Sequence, residues 1–266
     1  MNPIDQEARL NYLIDILINE QALYQKTDIP DDYPSRRQLL RALMNIRKPA
    51  PLAADFLQVQ DEFLSQEAQE KGIVTAEDIP YAPQYPRISL WRGDITTLKV
   101  DAIANAANAS LLGCFIPCHD CIDNAIHSAA GLQLREECHQ LITEQGHLEF
   151  TGQAKITKGY NLPASYIIHT VGPVIETTPS VREAGLLASC YSSCLQIAQE
   201  MQLATIAFCC ISTGIFNFPQ YKAAQIAFHT VNDFLASVAY PQRVIFNVFT
   251  QNDERIYRQL LMPNCY

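Results

Sequence analysis

Residues 105–127 read Asn-Ala-Ala-Asn-Ala-Ser-Leu-Leu-Gly-Cys-Phe-Ile-Pro-Cys-His-Asp-Cys-Ile-Asp-Asn-Ala-Ile-His. A short apolar run at 102–104 precedes this stretch and predicts a strand, and the pattern from about 121 to 145 predicts a helix. Ligands of α/β sheets bind in loops that leave the carboxyl ends of strands and lead into helices. The stretch therefore predicts an α/β domain with a ligand-binding loop after residue 105.

The same alternation continues along the chain beyond this stretch. Further short apolar runs predict strands at 88–91, 154–156, 166–170, 205–210 and 244–249, and further helices are expected at about 181–201, 219–238 and 253–262. Strands that alternate with helices predict a layered α/β domain. Before residue 80 the apolar residues recur at helical spacing and predict three helices. We therefore divide the chain into a helical N-terminal extension, 1–80, and an α/β domain, 81–266.

The composition limits the classes of partner. The chain has 266 residues, of which 48% are apolar and 18% are charged, which is enough for a substantial core. Its net charge of −9 argues against a general binder of nucleic acid or of anionic membranes, because both use dense positive charge. Nine cysteines, an odd number, and the absence of a signal-like apolar segment favour a reducing cytoplasm, where thiols stay free to bind metal.

Three residues of the loop predict a metal site. Cys114, His119 and Cys121 are spaced C-x4-H-x-C. Thiolate and imidazole are ligands that zinc prefers, and three protein ligands leave a fourth position open, as in catalytic zinc sites. The alternative is two buried thiols and a surface imidazole. Pro117 and Asp120 make burial of the whole segment difficult, so we expect one Zn²⁺ per chain here.

The other cysteines are less informative. Cys118 is a spare thiol or a second-choice ligand, because Cys118-x-x-Cys121 could itself form a ligand or redox pair. The remaining six are expected to be core or incidental residues: Cys138, Cys190, Cys194, Cys209, Cys210 and Cys265.

A second loop predicts an anion site. Residues 212–219 lead into a helix expected near residue 220, and they include Gly214. Glycine lets backbone N–H groups approach an anion, and a helix N-terminus adds favourable partial charge. This arrangement suits a diphosphate without a cluster of lysines.

Several motifs together resemble the macrodomain family. They are, in chain order, GDIT at 93–96, NAAN at 105–108, IHSAAG at 126–131, TGQAKIT at 151–157, GYNLP at 159–163, HTVGP at 169–173 and STGIF at 212–216. The resemblance covers roughly residues 87–262 and is closest to the hydrolases that remove ADP-ribose from modified proteins. It implies a three-layer α/β/α fold with a mixed central sheet, preceded here by the helical extension.

One difference from the usual macrodomain pattern points to a subfamily. Many macrodomains carry a run of glycines after the Asn-x-x-Asn loop, whereas here Gly113 is followed by Cys114, Cys118, His119 and Cys121. This pattern resembles the zinc-dependent macrodomains of bacteria and fungi, whose members also carry a helical N-terminal extension. Some members are encoded beside a class M sirtuin that ADP-ribosylates a lipoyl-carrier protein, which makes such a protein a candidate partner.

The resemblance implies roles for nucleotide-binding residues. Asp94 would accept a hydrogen bond from the adenine amino group beside the Ile95 backbone; an aspartate here can also cap a turn or helix, but the accompanying motifs favour the adenine contact. The binding set also includes Gly113 and the loop residues Ser212, Thr213, Gly214, Ile215 and Phe216, the last of which would pack against the distal ribose.

Two residues are candidates for catalysis. Asn108 offers donors and an acceptor that suit ribose hydroxyls, whereas Asn105 is expected to be structural. Asp123 would orient or deprotonate a water or bind a ribose hydroxyl, and its alternative role is charge complementarity at a helix N-terminus. His127 is expected to pack or to form hydrogen bonds rather than to act in proton transfer.

These expectations combine into one hypothesis with two rivals. The leading hypothesis is a zinc-dependent hydrolase that removes mono-ADP-ribose from protein side chains and releases ADP-ribose. Zinc would polarise an oxygen as a Lewis acid or lower the pKa of a bound water, and the sequence leaves both roles and the cleaved linkage open. The rivals are a reader that binds ADP-ribose without turnover, and an esterase for O-acetyl-ADP-ribose.

Overall fold

The structure is a computed structural model that describes residues 5–262; Cys265 lies outside the described residues. The helices are α1 (Gln6–Asn19), α2 (Tyr33–Ile46), α3 (Ala54–Lys71), α4 (Ile122–Ala130), α5 (Leu132–Gln145), α6 (Val181–Glu200), α7 (Gln220–Leu235) and α8 (Gln251–Leu261). The strands are β1 (Val74–Thr75), β2 (Tyr81–Ala82), β3 (Tyr85–Arg92), β4 (Leu98–Lys99), β5 (Ala102–Ala107), β6 (Ala154–Lys158), β7 (Tyr166–Val171), β8 (Thr205–Phe208) and β9 (Arg243–Val248).

Seven strands form one mixed sheet in the order β2-β3-β9-β8-β5-β7-β6. The five inner strands are parallel, and β2 and β6 add antiparallel edges. Helices α4 and α5 pack on one face, and α6, α7 and α8 pack side by side on the other. The three-layer α/β/α fold with a mixed sheet is therefore confirmed.

The inner strands form because helices cover both faces of the sheet. Every residue of β9 is buried, and every residue of β7 after the first is also buried. Strands buried on both faces read as continuous apolar runs, which is why runs such as 166–170 and 244–249 predict strands. Within residues 5–262 no helix is both long and apolar enough to cross a membrane.

The single helix expected at about 121–145 is wrong, because two helices occupy this segment. The break falls at Gly131, which has φ 99° and ψ 174°, a conformation essentially restricted to glycine. A Cβ at this position would lie 2.7 Å from Gln60 Nε2. The N–H of Leu132, at the start of α5, donates to Gln60 Oε1 over 3.0 Å. The N-terminal extension therefore caps the helix that begins after the break.

The extension packs against the α/β domain through α2 and α3. Its apolar core is formed by residues of α1, α2 and α3 and also takes in Leu132 of α5: Leu10, Leu13, Ile14, Leu17, Ile18, Leu40, Leu43, Met44, Phe56, Phe63, Leu64 and Leu132. The segment after α3 pairs with the domain as well, because β1 lies parallel to β4. The division between residues 80 and 81 stays a prediction.

Candidate functional site

Five neighbouring strands bring the predicted site loops together. In the parallel sheet Arg92 pairs with Val248, Ala104 pairs with Phe208, and Ala107 of the same strand pairs with Val171. The carboxyl ends of these strands lie at one edge of the sheet. The loops after residues 92, 107, 171, 208 and 248 therefore start side by side along that edge.

The three predicted metal ligands lie together at the start of α4. One ligand atom each from Cys114, His119 and Cys121 lies within 4.8 Å of the others, and the residues are half-buried. His119 Nδ1 is buried without a hydrogen-bond partner among residues 5–262. Two thiols and an imidazole with this proximity fit the ligand preference of zinc.

The environment of Cys121 favours the neutral thiol before a metal binds. Burial raises the pKa of Cys121 to about 11, and the hydrogen bond from the Asn124 N–H, with its nitrogen 3.4 Å from Sγ, opposes this rise. Zinc ligation requires the thiolate, so binding of the ion would release the proton.

Cys118 does not join this cluster. Its Sγ lies 3.4 Å from the carbonyl oxygen of Gln38 in α2, and its backbone has φ 51°. Cys121 therefore clusters with Cys114 and His119, and Cys118 does not serve as its partner in a ligand pair. The eight cysteines of residues 5–262 are all free, and those expected in the core are buried, except Cys210, which is half-buried.

Asp123 lies at the centre of a buried polar network. Its side chain accepts hydrogen bonds from Asn105 Nδ2 over 2.8 Å and from Asn108 Nδ2 over 3.3 Å. Burial raises the pKa of Asp123 to about 6, although the bond from Asn105 and the charge of Arg135 oppose the rise. Asn105 is fully buried and also faces His169 Nδ1 at 3.1 Å, which fits its expected structural role.

The side-chain amide of Asn108 is already hydrogen-bonded to residues of its own loop and to Asp123. Its Oδ1 accepts from the N–H and the hydroxyl of Ser110, and its Nδ2 donates to the carbonyl of Gly113 over 2.9 Å as well as to Asp123. A contact between Asn108 and a ribose hydroxyl therefore requires one of these bonds to be exchanged.

His127 packs against the loop at 108–121, which we call the metal loop. His127 is 4% exposed, and its Nε2 is 3.5 Å from Asp123 Oδ1. A Cβ on Gly113 would lie 2.8 Å from the ring carbon Cγ of His127, and Gly113 has φ 79°. His127 thus packs as expected, and its ring leaves room only for glycine at the residue before Cys114.

Asp94 caps the short 3-10 helix Ile95–Thr97. Its Oδ1 accepts from the N–H of Thr96 over 3.0 Å and from the Thr96 hydroxyl over 2.7 Å, which is the capping role considered above. Oδ2 makes only a 3.9 Å ion pair with Lys71 among the described residues. The side chain of Asp94 is 43% exposed. One carboxylate oxygen therefore remains available to a ligand.

Sequence reasoning missed an aromatic residue beside Asp94. Phe249 follows β9 and is 76% exposed. The N–H of Gly93 donates to the carbonyl of Val248 over 3.1 Å, so Phe249 and Asp94 leave adjacent strand ends. The only available signal was an aromatic residue at the end of an apolar run, which equally fits a strand.

The second predicted loop presents backbone donors. It turns through bonds from the N–H of Phe218 to the carbonyl of Ser212 and from the N–H of Asn217 to the carbonyl of Gly214, each 3.0 Å. The N–H groups of Gly214, Ile215 and Phe216 donate to no protein group within residues 5–262. Ser212, with φ 67°, is buried, and its Oγ lacks a partner there. Such a row of free amides fits an anion.

Comparison with known proteins identifies the family. The Macro domain model matches residues 104–227. A protein-ADP-ribose hydrolase of Treponema medium is 47% identical over 260 residues, covering 96% of this chain and 99% of its own. The chain belongs to the macrodomain family.

A second relative and a solved structure are also similar to this macrodomain. A probable bifunctional ADP-ribose hydrolase/ADP-ribosyltransferase of Fusarium oxysporum f. sp. cubense is 42% identical over 250 residues, which are 86% of this chain and 42% of the relative. The Trypanosoma brucei macrodomain in complex with ADP-ribose superposes with a TM-score of 0.65 at 30% identity, covering 82% of this chain and 94% of that chain.

Proposed function

We propose that this macrodomain is a zinc-dependent hydrolase that removes mono-ADP-ribose from modified protein side chains and releases ADP-ribose. The observation that carries the proposal is the cluster of Cys114, His119 and Cys121, which lies on the same loop as Asn108 and leads into Asp123. A relative that matches almost the whole chain is named a protein-ADP-ribose hydrolase, which supports the reaction class.

The nucleotide is held at two places in this proposal. The free carboxylate oxygen of Asp94 accepts from the adenine amino group, the Ile95 backbone lies beside it, and the exposed ring of Phe249 stacks on the base. The free N–H groups of Gly214, Ile215 and Phe216 bind the diphosphate, and Ser212 and Thr213 shape this turn. Both contacts lie outside the metal loop, so nucleotide binding and metal binding are separable.

Asn108 and Asp123 act at the distal ribose. Asp123 is fixed by Asn105 and Asn108, so its carboxylate is oriented before substrate binds and can hold a ribose hydroxyl or a water. The Phe216 ring packs against the same ribose. The backbone carbonyl of Phe216 accepts a hydrogen bond from the N–H of Ile175 over 2.8 Å, which helps to hold this residue in place. Zinc held by Cys114, His119 and Cys121 would supply Lewis-acid chemistry beside these groups.

The substrate is a mono-ADP-ribosylated protein, and a lipoyl-carrier protein modified by a class M sirtuin is our specific candidate. The Fusarium relative is named as both a hydrolase and a transferase, which supports a reaction opposed by a transferase. We further propose a cytoplasmic location, because the eight described cysteines are unpaired and thiols stay reduced and free to bind metal in the cytoplasm.

The proposal is tested by turnover and metal content in matched cysteine variants. Cys121→Ala removes a thiol of the cluster, and Cys118→Ala removes a thiol that faces Gln38 instead. Mono-ADP-ribosylated protein and free O-acetyl-ADP-ribose are incubated with each variant, with and without a chelator, and zinc is measured directly. We expect Cys121→Ala to lose zinc and turnover but to keep ADP-ribose binding, and Cys118→Ala to keep all three.

Other outcomes would favour the rivals. Binding of ADP-ribose by zinc-loaded protein without release from any modified protein would indicate a reader. Turnover confined to O-acetyl-ADP-ribose would indicate the esterase. Full hydrolysis by zinc-free protein would remove zinc from the mechanism.

A further inference from the structure

The N-terminal extension holds the metal loop from outside the domain. Arg41 of α2 donates through Nη2 to the carbonyl of His119 over 3.1 Å. The same guanidinium donates to Asn124 Oδ1 over 2.7 and 3.0 Å. Asn124 in turn donates through Nδ2 to the carbonyl of Ile116 over 3.0 Å. Arg41 therefore contacts one ligand directly and a second loop residue through Asn124.

Asn45, one turn further along α2, fixes the middle of the loop. Its Oδ1 accepts from the N–H of Cys118 over 2.9 Å, and its Nδ2 donates to Ser128 Oγ over 3.0 Å. Asn45 is 1% exposed, and Cys118 has φ 51°. A residue with positive φ is held only where its surroundings over-determine the conformation. The bond that Asn45 accepts from Cys118 stabilises that conformation between the first and second ligands.

Arg135 joins the end of α2 to the beginning of the loop. Its Nη1 donates to the carbonyls of Met44 and Asn45, each over 2.9 Å, and its Nε donates to the carbonyl of Leu112 over 2.7 Å. Its guanidinium also lies over the ring of Phe115, 4.5 Å from the centroid. Charge-assisted bonds of this kind are stronger than neutral ones. The loop is thus anchored before, within and after its C-x4-H-x-C segment.

We infer that Arg41 and Asn45 of the extension are positioning residues for the zinc ligands, so that docking of the extension and binding of zinc are thermodynamically coupled. This inference rests on the proposed function, because it takes Cys114, His119 and Cys121 as the ligands. A loop that must be ordered when the ion binds loses conformational entropy at that step. The bonds from α2 order the loop beforehand and so raise zinc affinity.

The coupling is reciprocal by linkage. If a docked extension raises zinc affinity by some factor, bound zinc must favour the docked extension by the same factor. ADP-ribose contacts with Asp94 and the Gly214 turn lie on other loops, and α2 makes no hydrogen bond to either among the described residues. Arg41 lines the same cavity as Asp94, whereas Asn45 does not, so the structure predicts a loss of zinc affinity without a matching loss of nucleotide affinity for replacement of Asn45.

The test compares two arginines of the same helix. Arg41→Ala removes the bonds to the loop, whereas Arg36→Ala removes bonds to Asn11 and Glu7 that stay within the extension. Zinc Kd is measured on the full chain by competition with a chromophoric chelator, and ADP-ribose Kd is measured by calorimetry. Arg41→Ala should weaken zinc binding by about 10-fold or more, since groups that support metal ligands typically contribute 10- to 100-fold.

Two further variants sharpen the result. Asn45→Ala changes no charge and should also weaken zinc binding while leaving ADP-ribose Kd at the parent value. Arg41→Lys keeps one donor for the His119 carbonyl but not the fork to Asn124, so its zinc Kd should fall between parent and Arg41→Ala. Circular dichroism confirms that each variant is folded.

Each outcome decides the matter. Parent zinc affinity in folded Arg41→Ala would overturn the inference, and so would an equal loss of zinc affinity in Arg36→Ala or a parallel loss of ADP-ribose affinity in Asn45→Ala. A parent protein that takes up no zinc would overturn the proposed metal site itself, which is a different result from a parent that binds zinc as tightly as its Arg41 variant.

Discussion

Replacement of Gly113 by alanine tests whether the ring of His127 supports the metal loop. Gly113 has φ 79°, and a Cβ there would lie 2.8 Å from His127 Cγ. Gly146 has nearly the same φ of 76°, but a Cβ there would meet no atom within 4 Å. The pair therefore separates the backbone cost of alanine from the cost of contact with the ring.

The magnitudes follow from the two contributions. An L-residue in the left-handed region costs about 1–2 kcal/mol, and the two glycines are matched in their positive φ. Overpacking a buried site adds about 1–3 kcal/mol, and only Gly113→Ala has this addition. The unfolded-state entropy lost on changing glycine to alanine is common to both variants and cancels in the difference. Gly113→Ala should therefore lose about 1–3 kcal/mol more of the free energy of unfolding than Gly146→Ala.

The assay is urea unfolding followed by the fluorescence of Trp91, the single tryptophan. A chelator is present throughout, because zinc bound only to folded protein would add its own stabilisation. Equal losses for the two variants would show that the ring of His127 does not press against residue 113. Zinc affinity, measured separately, should fall only in Gly113→Ala, because Cys114 is the next residue.

Three further predictions concern the nucleotide and the extension. If Asp94 accepts from the adenine amino group, IDP-ribose should bind about 1–3 kcal/mol more weakly than ADP-ribose in calorimetric titration, and equal affinities would remove Asp94 from the adenine site. Phe249→Ala should weaken ADP-ribose binding by about 1–3 kcal/mol, because stacking on the adenine base is lost. Leu23→Ala, which changes another exposed apolar residue, is the control and should leave ADP-ribose binding unchanged. Equal effects of the two substitutions would exclude a specific role for Phe249. Deletion of residues 1–80 should expose Leu132, lower the melting temperature and weaken zinc binding. Any folded product should retain some ADP-ribose affinity. An unchanged melting temperature would show that the extension is detachable.

Local patterns were enough to predict most of the helices and the longer strands, whereas the three-layer arrangement with a mixed sheet came from the resemblance to macrodomains. In the extension, Leu10, Leu13 and Ile14 recur at helical spacing and are fully buried in α1. In the sheet, the apolar run at 244–249 lies in β9 except for the exposed Phe249, and every residue of that strand is buried. The break at Gly131 was missed because the residues on either side both favour a helix. Gly131 is fixed by Gln60, which lies 71 positions earlier and leaves no trace in the local pattern.

The candidate site was predictable where its residues are close in sequence. Cys114, His119 and Cys121 lie within one loop, so their spacing alone predicted the cluster that the structure shows. Cys118 could not be separated from them by spacing, because its direction depends on the Gln38 carbonyl of α2. Arg41, likewise in α2, was not predicted at all, since its partners lie 78 and 83 positions away.

These long-range contacts tie the conformation of the metal loop to the docked extension. A loop made mostly of glycine can follow a tight path close to the sheet without outside support, because glycine accepts positive φ. The loop of this macrodomain instead carries bulky residues, and it holds Leu111 at φ 58° and Cys118 at φ 51°. Each such residue costs free energy that surrounding contacts must offset. Asn45 and Arg135 provide such contacts, and Asn45 belongs to the extension. A metal loop of this sequence without α2 would therefore have to order itself on binding zinc, and its affinity would fall accordingly.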